Sequence, residues 1–204
     1  MSENQFSGKK AIESALKKLN AKMVYEQVEP VALVSCGGAA LNVMGMISRS
    51  TNDVDIVAVA DVDASGKVAI HTEEPLPKRF KELVAEIGAE LGIREDWLNF
   101  GPSPLRKFGL PPGLQKRLTR KAYGPCLTLF YISRLDQIHF KIYAAMDPKA
   151  GTRHLSDLLD LEPTAKEVKA AVDWLLGRKT SKDFRRKLKE VLERIGHEQI
   201  AEQF

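Results

Sequence analysis

The sequence has no long apolar run, few cysteines and no low-complexity tract. Without about 20 consecutive apolar residues there is no candidate membrane span, and the first ten residues lack the apolar segment of a signal peptide. Its two cysteines, Cys36 and Cys126, lie far apart in apolar, strand-like surroundings. That setting predicts buried free thiols in a reducing compartment. These absences together predict a cytoplasmic protein with no membrane partner.

Histidine is also scarce, with four in the chain. His71 has no second ligand at the spacing of a metal site, and His139 and His154 are expected to be structural or surface residues. No histidine lies near Cys36 in the sequence to activate its thiol, so cysteine-dependent catalysis is disfavoured.

The composition is that of an ordinary globular protein: 204 residues, 44% hydrophobic and 28% charged, with a net charge of +4. The positive charge is concentrated in two segments. Residues 105–121 hold six Lys and Arg and no acid, and residues 178–189 hold seven Lys and Arg and one acid. Such segments attract polyphosphates or nucleic acid. A solvated, charged surface is the alternative interpretation, and for residues 178–189 it is the favoured one.

The most informative stretch is 33–57. An apolar run ends in Gly37-Gly38, an apolar segment of helix length follows, and Asp53 and Asp55 then alternate with apolar residues. Residues i and i+2 of a strand point to the same face, so the two carboxylates are expected to share one side. Carboxylates so close repel each other, and a divalent cation, Mg²⁺ or Mn²⁺, would remove the conflict.

The two glycines permit a tight turn between strand and helix and a close approach of the backbone to a ligand. Free N–H groups at the start of the following helix suit a phosphate. The glycine pair alone is more often a simple turn, and the aspartate pair alone is more often a solvated loop. Together they are typical of metal-dependent phosphoryl transfer. We expect both aspartates to point into one cleft with the Gly37-Gly38 turn at its floor.

This order of residues resembles motif I of the DNA polymerase beta-like nucleotidyltransferase superfamily. The match falls on Cys36-Gly37-Gly38 and Asp53-Val54-Asp55-Ile56. The segment Arg49-Ser50-Thr51-Asn52-Asp53 also resembles the Arg-x-Thr-x-Asp pattern of bacterial branches that include the AbiEii-type toxins of abortive infection. The resemblance implies an NTP substrate, an acceptor hydroxyl on RNA, protein or a small molecule, and a toxin-antitoxin or defence role. It implies that Arg49 and Thr51 contact nucleotide; an exposed loop arginine is the equal alternative for Arg49.

The distal part of the chain resembles the same families at Lys141, Arg153, Asp157 and Asp160-Leu161. The resemblance implies a catalytic Lys141, which would contact triphosphate or an active-site carboxylate and face the cleft of the aspartates. The alternative is a lysine that snorkels from the edge of an apolar helix. Arg153 and Asp157 would help to bind nucleotide, although Asp157 is equally well an ordinary helix carboxylate or a partner of Lys141 or Arg153.

One departure from the superfamily concerns the third carboxylate, which helps to hold a second metal ion. Its expected place is the segment DWLNFG, where Asn99 occupies the centre and Asp96 lies nearby. With Asn99 in that place, the site would hold one metal ion well and a second weakly. Three functions follow: a nucleotidyltransferase, an inactive binding or regulatory module on the same fold, or a basic nucleic-acid-binding protein.

The predicted fold is α/β (α+β), a nucleotidyltransferase-like mixed sheet flanked by helices, with a C-terminal helical extension. The expected division is a head at 1–133 and a helical region at 134–204 packed on it. Strands are predicted at 31–35, 54–59, 67–72 and 126–132, with a short strand near Asn99 and a hairpin turn at 63–66. Helices are predicted at 8–20, 39–47, 77–91, 134–146, 152–161, from Pro163, and at 181–195.

Overall fold

Apolar segments of the first two thirds of the chain form one mixed sheet. The structure is a computed structural model, and it describes residues 5–63, 66–71, 76–102, 105, 108–147, 152–178 and 180–204. The chain divides into two compact units, Met1–Ser133 and Arg134–Phe204. Parts of the predicted turn at 63–66, of the strand at 67–72 and of both basic segments lie outside the described residues.

Six strands of the N-terminal unit make up the sheet, which confirms the predicted fold class. They are β1 (Val31–Cys36), β2 (Val54–Val62), β3 (Val68–His71), β4 (Leu98–Asn99), β5 (Thr119–Ala122) and β6 (Leu127–Tyr131). The order is β3-β2-β1-β6-β5, and β4 pairs with β2 beside this path. β1 is antiparallel to β2 and parallel to β6, and β4 is parallel to β2. The central strands are rich in Val and Leu because they are buried on both faces.

Three helices belong to the same unit: α1 (Lys9–Tyr25), α2 (Gly37–Val43) and α3 (Lys78–Leu91), with a 3₁₀ turn at Leu114–Arg117. α1 and α3 pack against each other, and their apolar stripes share one core with the sheet. That core includes Ile12, Leu16, Leu19, Met23, Leu33, Val54, Ile56, Phe80, Leu83, Ile87, Leu127 and Leu129.

Two predicted helix boundaries differ from the structure. α1 continues five residues past Asn20, and its buried apolar face extends to Met23. The buried Asn20 side chain accepts the N–H groups of Cys126 and Leu127 at 3.0 and 3.1 Å. α2 ends at Val43, not Ile47. Gly45 adopts a φ of +72° there, the left-handed conformation that commonly terminates a helix.

Five helices form the described part of the C-terminal unit: α4 (Arg134–Ala145), α5 (Arg153–Leu161), α6 (Ala165–Leu176), α7 (Lys182–Arg194) and α8 (Glu198–Ala201). Thr164 and Glu167 form a reciprocal capping box at the start of α6, and the Ser181 hydroxyl caps α7. None of the helices in the described ranges is both long and apolar enough to cross a membrane.

Candidate functional site

The pairing of β1 with β2 places the glycine turn against Asp55. Cys36, the last residue of β1, pairs directly with Asp55. Gly37 follows with a φ of +73°, and a Cβ at this position would lie 3.0 Å from Asp55 Cγ and closer still to Oδ2. Only glycine suits this position, for two reasons: the backbone has a positive φ, and there is no room for a Cβ. The Asp55 carboxylate lies directly on the turn.

The two aspartates stay accessible while their apolar neighbours do not. Val54 and Ile56 are fully buried, whereas Asp53 and Asp55 are half-buried. This alternation has the period of two that a strand produces. Asp53 precedes β2, and its carbonyl accepts the Thr51 hydroxyl at 3.4 Å.

The side chains of Arg49 and Thr51 lie against Gly38, the second glycine of the turn. A Cβ on Gly38 would lie 2.9 Å from Arg49 Nη2 and 3.0 Å from Thr51 Oγ1. The Arg49 guanidinium also donates to the Ser50 carbonyl at 2.8 Å. Thr51 is buried, and two backbone hydrogen bonds tie it to Phe6. The fold thus brings five of the residues selected from the sequence to one place: Gly37, Gly38, Arg49, Thr51 and Asp55.

Asn42 belongs to this arrangement, although sequence reasoning did not select it. It is 3% exposed. Its amide nitrogen donates to the Gly38 carbonyl at 3.0 Å, and its amide oxygen accepts the Arg49 N–H at 3.4 Å. Asn42 therefore joins the glycine turn to the Arg49 loop. The available signal was a single amide side chain in an otherwise apolar helix, because a buried amide needs partners.

An amide, not a carboxylate, stands beside Asp55 on the neighbouring strand. Asn99 on β4 pairs in register with Asp55, and its amide oxygen accepts the Gly101 N–H at 2.7 Å. Asp96 instead forms a bidentate ion pair with Arg94 at 2.7 and 2.6 Å. That guanidinium holds the pKa of the exposed Asp96 carboxyl below its usual value.

The side-chain oxygens that the sheet brings together here belong to Asp55 and Asn99, and Asp53 lies two residues before Asp55 in the chain. Hard cations such as Mg²⁺ prefer such ligands, and Mg²⁺ retains several waters when few protein ligands are present. In the described residues no group of three or more His, Cys, Asp and Glu could hold a metal ion. A hard cation here would take most of its ligands from water or from a substrate.

Lys141 and Asp157 form a buried ion pair inside the C-terminal unit. Their Nζ and Oδ2 atoms are 2.5 Å apart, and the side chains are 5% and 0% exposed. His154 Nδ1 lies 3.4 Å from the same Nζ. Lys141 therefore does not snorkel to solvent. Arg153, by contrast, is exposed at the start of α5. That Lys141 faces the aspartates stays a prediction.

Comparisons with models of protein families, with curated proteins and with solved structures gave no match in any of the three.

Proposed function

We propose that the N-terminal unit is a metal-dependent nucleotidyltransferase. It would move a nucleoside monophosphate from an NTP to an acceptor hydroxyl, which attacks the α-phosphorus while pyrophosphate leaves. The observation that carries the proposal is the contact between Asp55 and Gly37. A carboxylate that lies on a turn without side chains leaves an adjacent backbone that a phosphate can approach closely.

Each residue of the site has a role in this proposal. Asp53 and Asp55 would hold Mg²⁺ or Mn²⁺, which neutralises developing charge on the phosphoryl oxygens. Gly37, which is half-buried, would leave backbone within reach of the triphosphate, and Gly38 makes room for Arg49 and Thr51. The Arg49 guanidinium, which lies on Gly38, would bind a phosphate, because its planar fork matches phosphate oxygens.

Asn99 favours a second candidate function. An amide beside Asp55 supplies no negative charge, so a second metal ion would bind weakly and nucleotide binding without transfer becomes the alternative. The acceptor, whether RNA, protein or a small molecule, and a toxin-antitoxin or defence role are proposals that rest on the resemblance.

One experiment separates the two functions. The protein is incubated with each α-³²P-labelled NTP, with Mg²⁺ or Mn²⁺, and with total RNA or cell lysate, and labelled products are resolved on gels. Transfer should occur with the wild type and disappear in Asp55→Asn. Asp61→Asn is the matched control, because Asp61 lies on the same strand, is exposed and pairs with His71.

Calorimetry with non-hydrolysable nucleotides completes the test. Nucleotide binding without any labelled product would support the binding module and overturn the transferase. Equal labelling by the wild type and Asp55→Asn would show that the chemistry occurs elsewhere.

A further inference from the structure

The N-terminal unit has a hollow at the end of its strands opposite the glycine turn. It has a volume of about 390 Å³ and is lined by the first residues of β1 and β6, the last residues of β2, and Arg120 of β5. β1 runs from this hollow at Val31 to the glycine turn after Cys36, a separation of about 17 Å at 3.3 Å per residue. The hollow is therefore separate from the site described above.

Small side chains explain why the sheet is hollow here. Ala32 pairs in register with Thr128 of β6, and Ala60 on β2 follows Val59, the partner of Leu33. Two alanines and a threonine on neighbouring strands leave space that the larger residues of the central sheet fill elsewhere. Pro30 and Pro125, which precede β1 and β6, contribute apolar walls.

The polar side chains that line the hollow are those of Asp61, Arg120, Cys126 and Thr128. Within the described parts of the chain, the Arg120 guanidinium and the Thr128 hydroxyl form no hydrogen bond or ion pair, and Cys126 is a half-buried free thiol. Asp61 is already held by His71, with 2.9 Å between Oδ2 and Nε2. Among the residues that the structure describes, no carboxylate pairs with Arg120, whose side chain is exposed.

We propose that this hollow binds a small organic acid. Ligand pockets commonly have volumes of about 300–1,000 Å³ and combine apolar walls with a few convergent polar groups. A guanidinium and a hydroxyl in one hollow suit a carboxylate or a phosphate, because a guanidinium binds either group through two parallel hydrogen bonds. The apolar walls hold the rest of the molecule. This site is independent of the proposed transferase chemistry.

Cys126 makes the proposal testable by a protection experiment. It lines the hollow, whereas the other thiol, Cys36, is 2% exposed. The rate of alkylation of Cys126 by iodoacetamide is followed by peptide mass spectrometry with succinate, L-aspartate, ribose 5-phosphate or AMP present. We expect at least one acid to slow the reaction fivefold or more, with saturation. Protection by the first two probes identifies a carboxylate, and protection by the last two a phosphate.

Three variants define the result. Arg120→Gln should abolish protection, and Lys116→Gln, which removes the same charge from an exposed residue outside the hollow, should retain it. Asp55→Asn should also retain it, because the site at the glycine turn is not involved. Absence of protection by all four acids, or equal protection of the wild type and a folded Arg120→Gln, would overturn the proposal.

Discussion

At the scale of single residues, a comparison of Gly37 with Gly45 distinguishes the effect of backbone conformation from the effect of steric contact. Both have a φ near +70°, but only Gly37 has Asp55 against it, and nothing lies within 4 Å of a Cβ on Gly45. Either Gly→Ala change should cost about 1–2 kcal/mol of stability, because a non-glycine residue is strained in the left-handed region. Gly37→Ala should in addition displace the carboxylate and weaken Mn²⁺ binding at least tenfold.

Urea denaturation and Mn²⁺ titration by electron paramagnetic resonance measure the two effects on the same variants. Mn²⁺ affinity that falls equally in Gly37→Ala and Gly45→Ala would show that backbone strain, not the position of the carboxylate, controls the site.

Aspartate in place of Asn99 should supply the third carboxylate that the resemblance implies. Asn99→Asp places a carboxylate in register with Asp55, so repulsion between them should cost about 1 kcal/mol of stability in EDTA. Mg²⁺ or Mn²⁺ should restore that loss, and metal affinity should rise about tenfold because a charged ligand is gained. Thermal unfolding with and without metal measures both. Asp96→Asn serves as a control and should leave metal affinity unchanged, because Arg94 already holds that carboxylate.

At the scale of elements, charged side chains link α1 to α3. Lys18 and Lys22 both bind Glu90, Lys18 at 2.6 Å, and they lower the pKa of its carboxyl to about 2. Because the folded pKa lies below the ordinary value of 4.5, this contribution to stability is complete above about pH 4.5 and is lost as the pH falls toward 2.

Glu90→Gln should therefore reduce the loss of stability between pH 4.5 and 2, measured by urea denaturation at intervals across that range. Glu95→Gln, a change at an exposed carboxylate without an ion pair in the described residues, is the control. The effect should be small and should shrink in 1 M NaCl, since the pair is exposed. An unchanged pH profile in Glu90→Gln would contradict the assignment.

The sequence predicted the elements whose pattern is apolar and local. The runs at 31–35, 54–59 and 126–132 are close to β1, β2 and β6, because buried central strands consist of continuous apolar residues. β5 was not predicted. Its sequence, Thr-Arg-Lys-Ala, is mostly exposed, and such an edge strand is defined by its pairing with β6 and not by hydrophobicity.

The same distinction holds for the candidate site. The contact of Asp55 with Gly37 could be anticipated from a strand, a turn and the alternation of side chains. The position of Asn99 depends on the register between β2 and β4, which no local pattern encodes. Asn20 and Asn42 were missed because each is polar within an apolar face, and their partners are revealed only by tertiary structure.

At the scale of the whole molecule, each unit contains one of the two tryptophans, Trp97 and Trp174. Variants with a single tryptophan, Trp97→Phe or Trp174→Phe, therefore report unfolding of each unit separately. Lys141→Met removes the ammonium that pairs with the buried Asp157 carboxylate, which should cost about 3–5 kcal/mol in the C-terminal unit. The fluorescence of Trp174 should report this loss, and that of Trp97 much less.

Lys169→Met provides the comparison, since Lys169 forms an exposed pair with Asp173 in the same unit. It should cost no more than about 0.5 kcal/mol. Equal losses for the two lysine variants would contradict the structural role of Lys141. Nucleotide affinity measured on Lys141→Met at a temperature where it is folded tests the catalytic role expected from the resemblance.

The position of β1 between β2 and β6 has a consequence for synthesis of the chain. β2 follows β1 closely, but β6 ends at Tyr131, so the other side of β1 has no partner until about 95 more residues have been made. At about 5–20 residues per second, a ribosome needs about 5–20 s for that length. During this interval an apolar strand edge is open to pairing with other nascent chains. The yield of folded protein in a cell should therefore depend on chaperone supply more than on the equilibrium stability of the finished molecule.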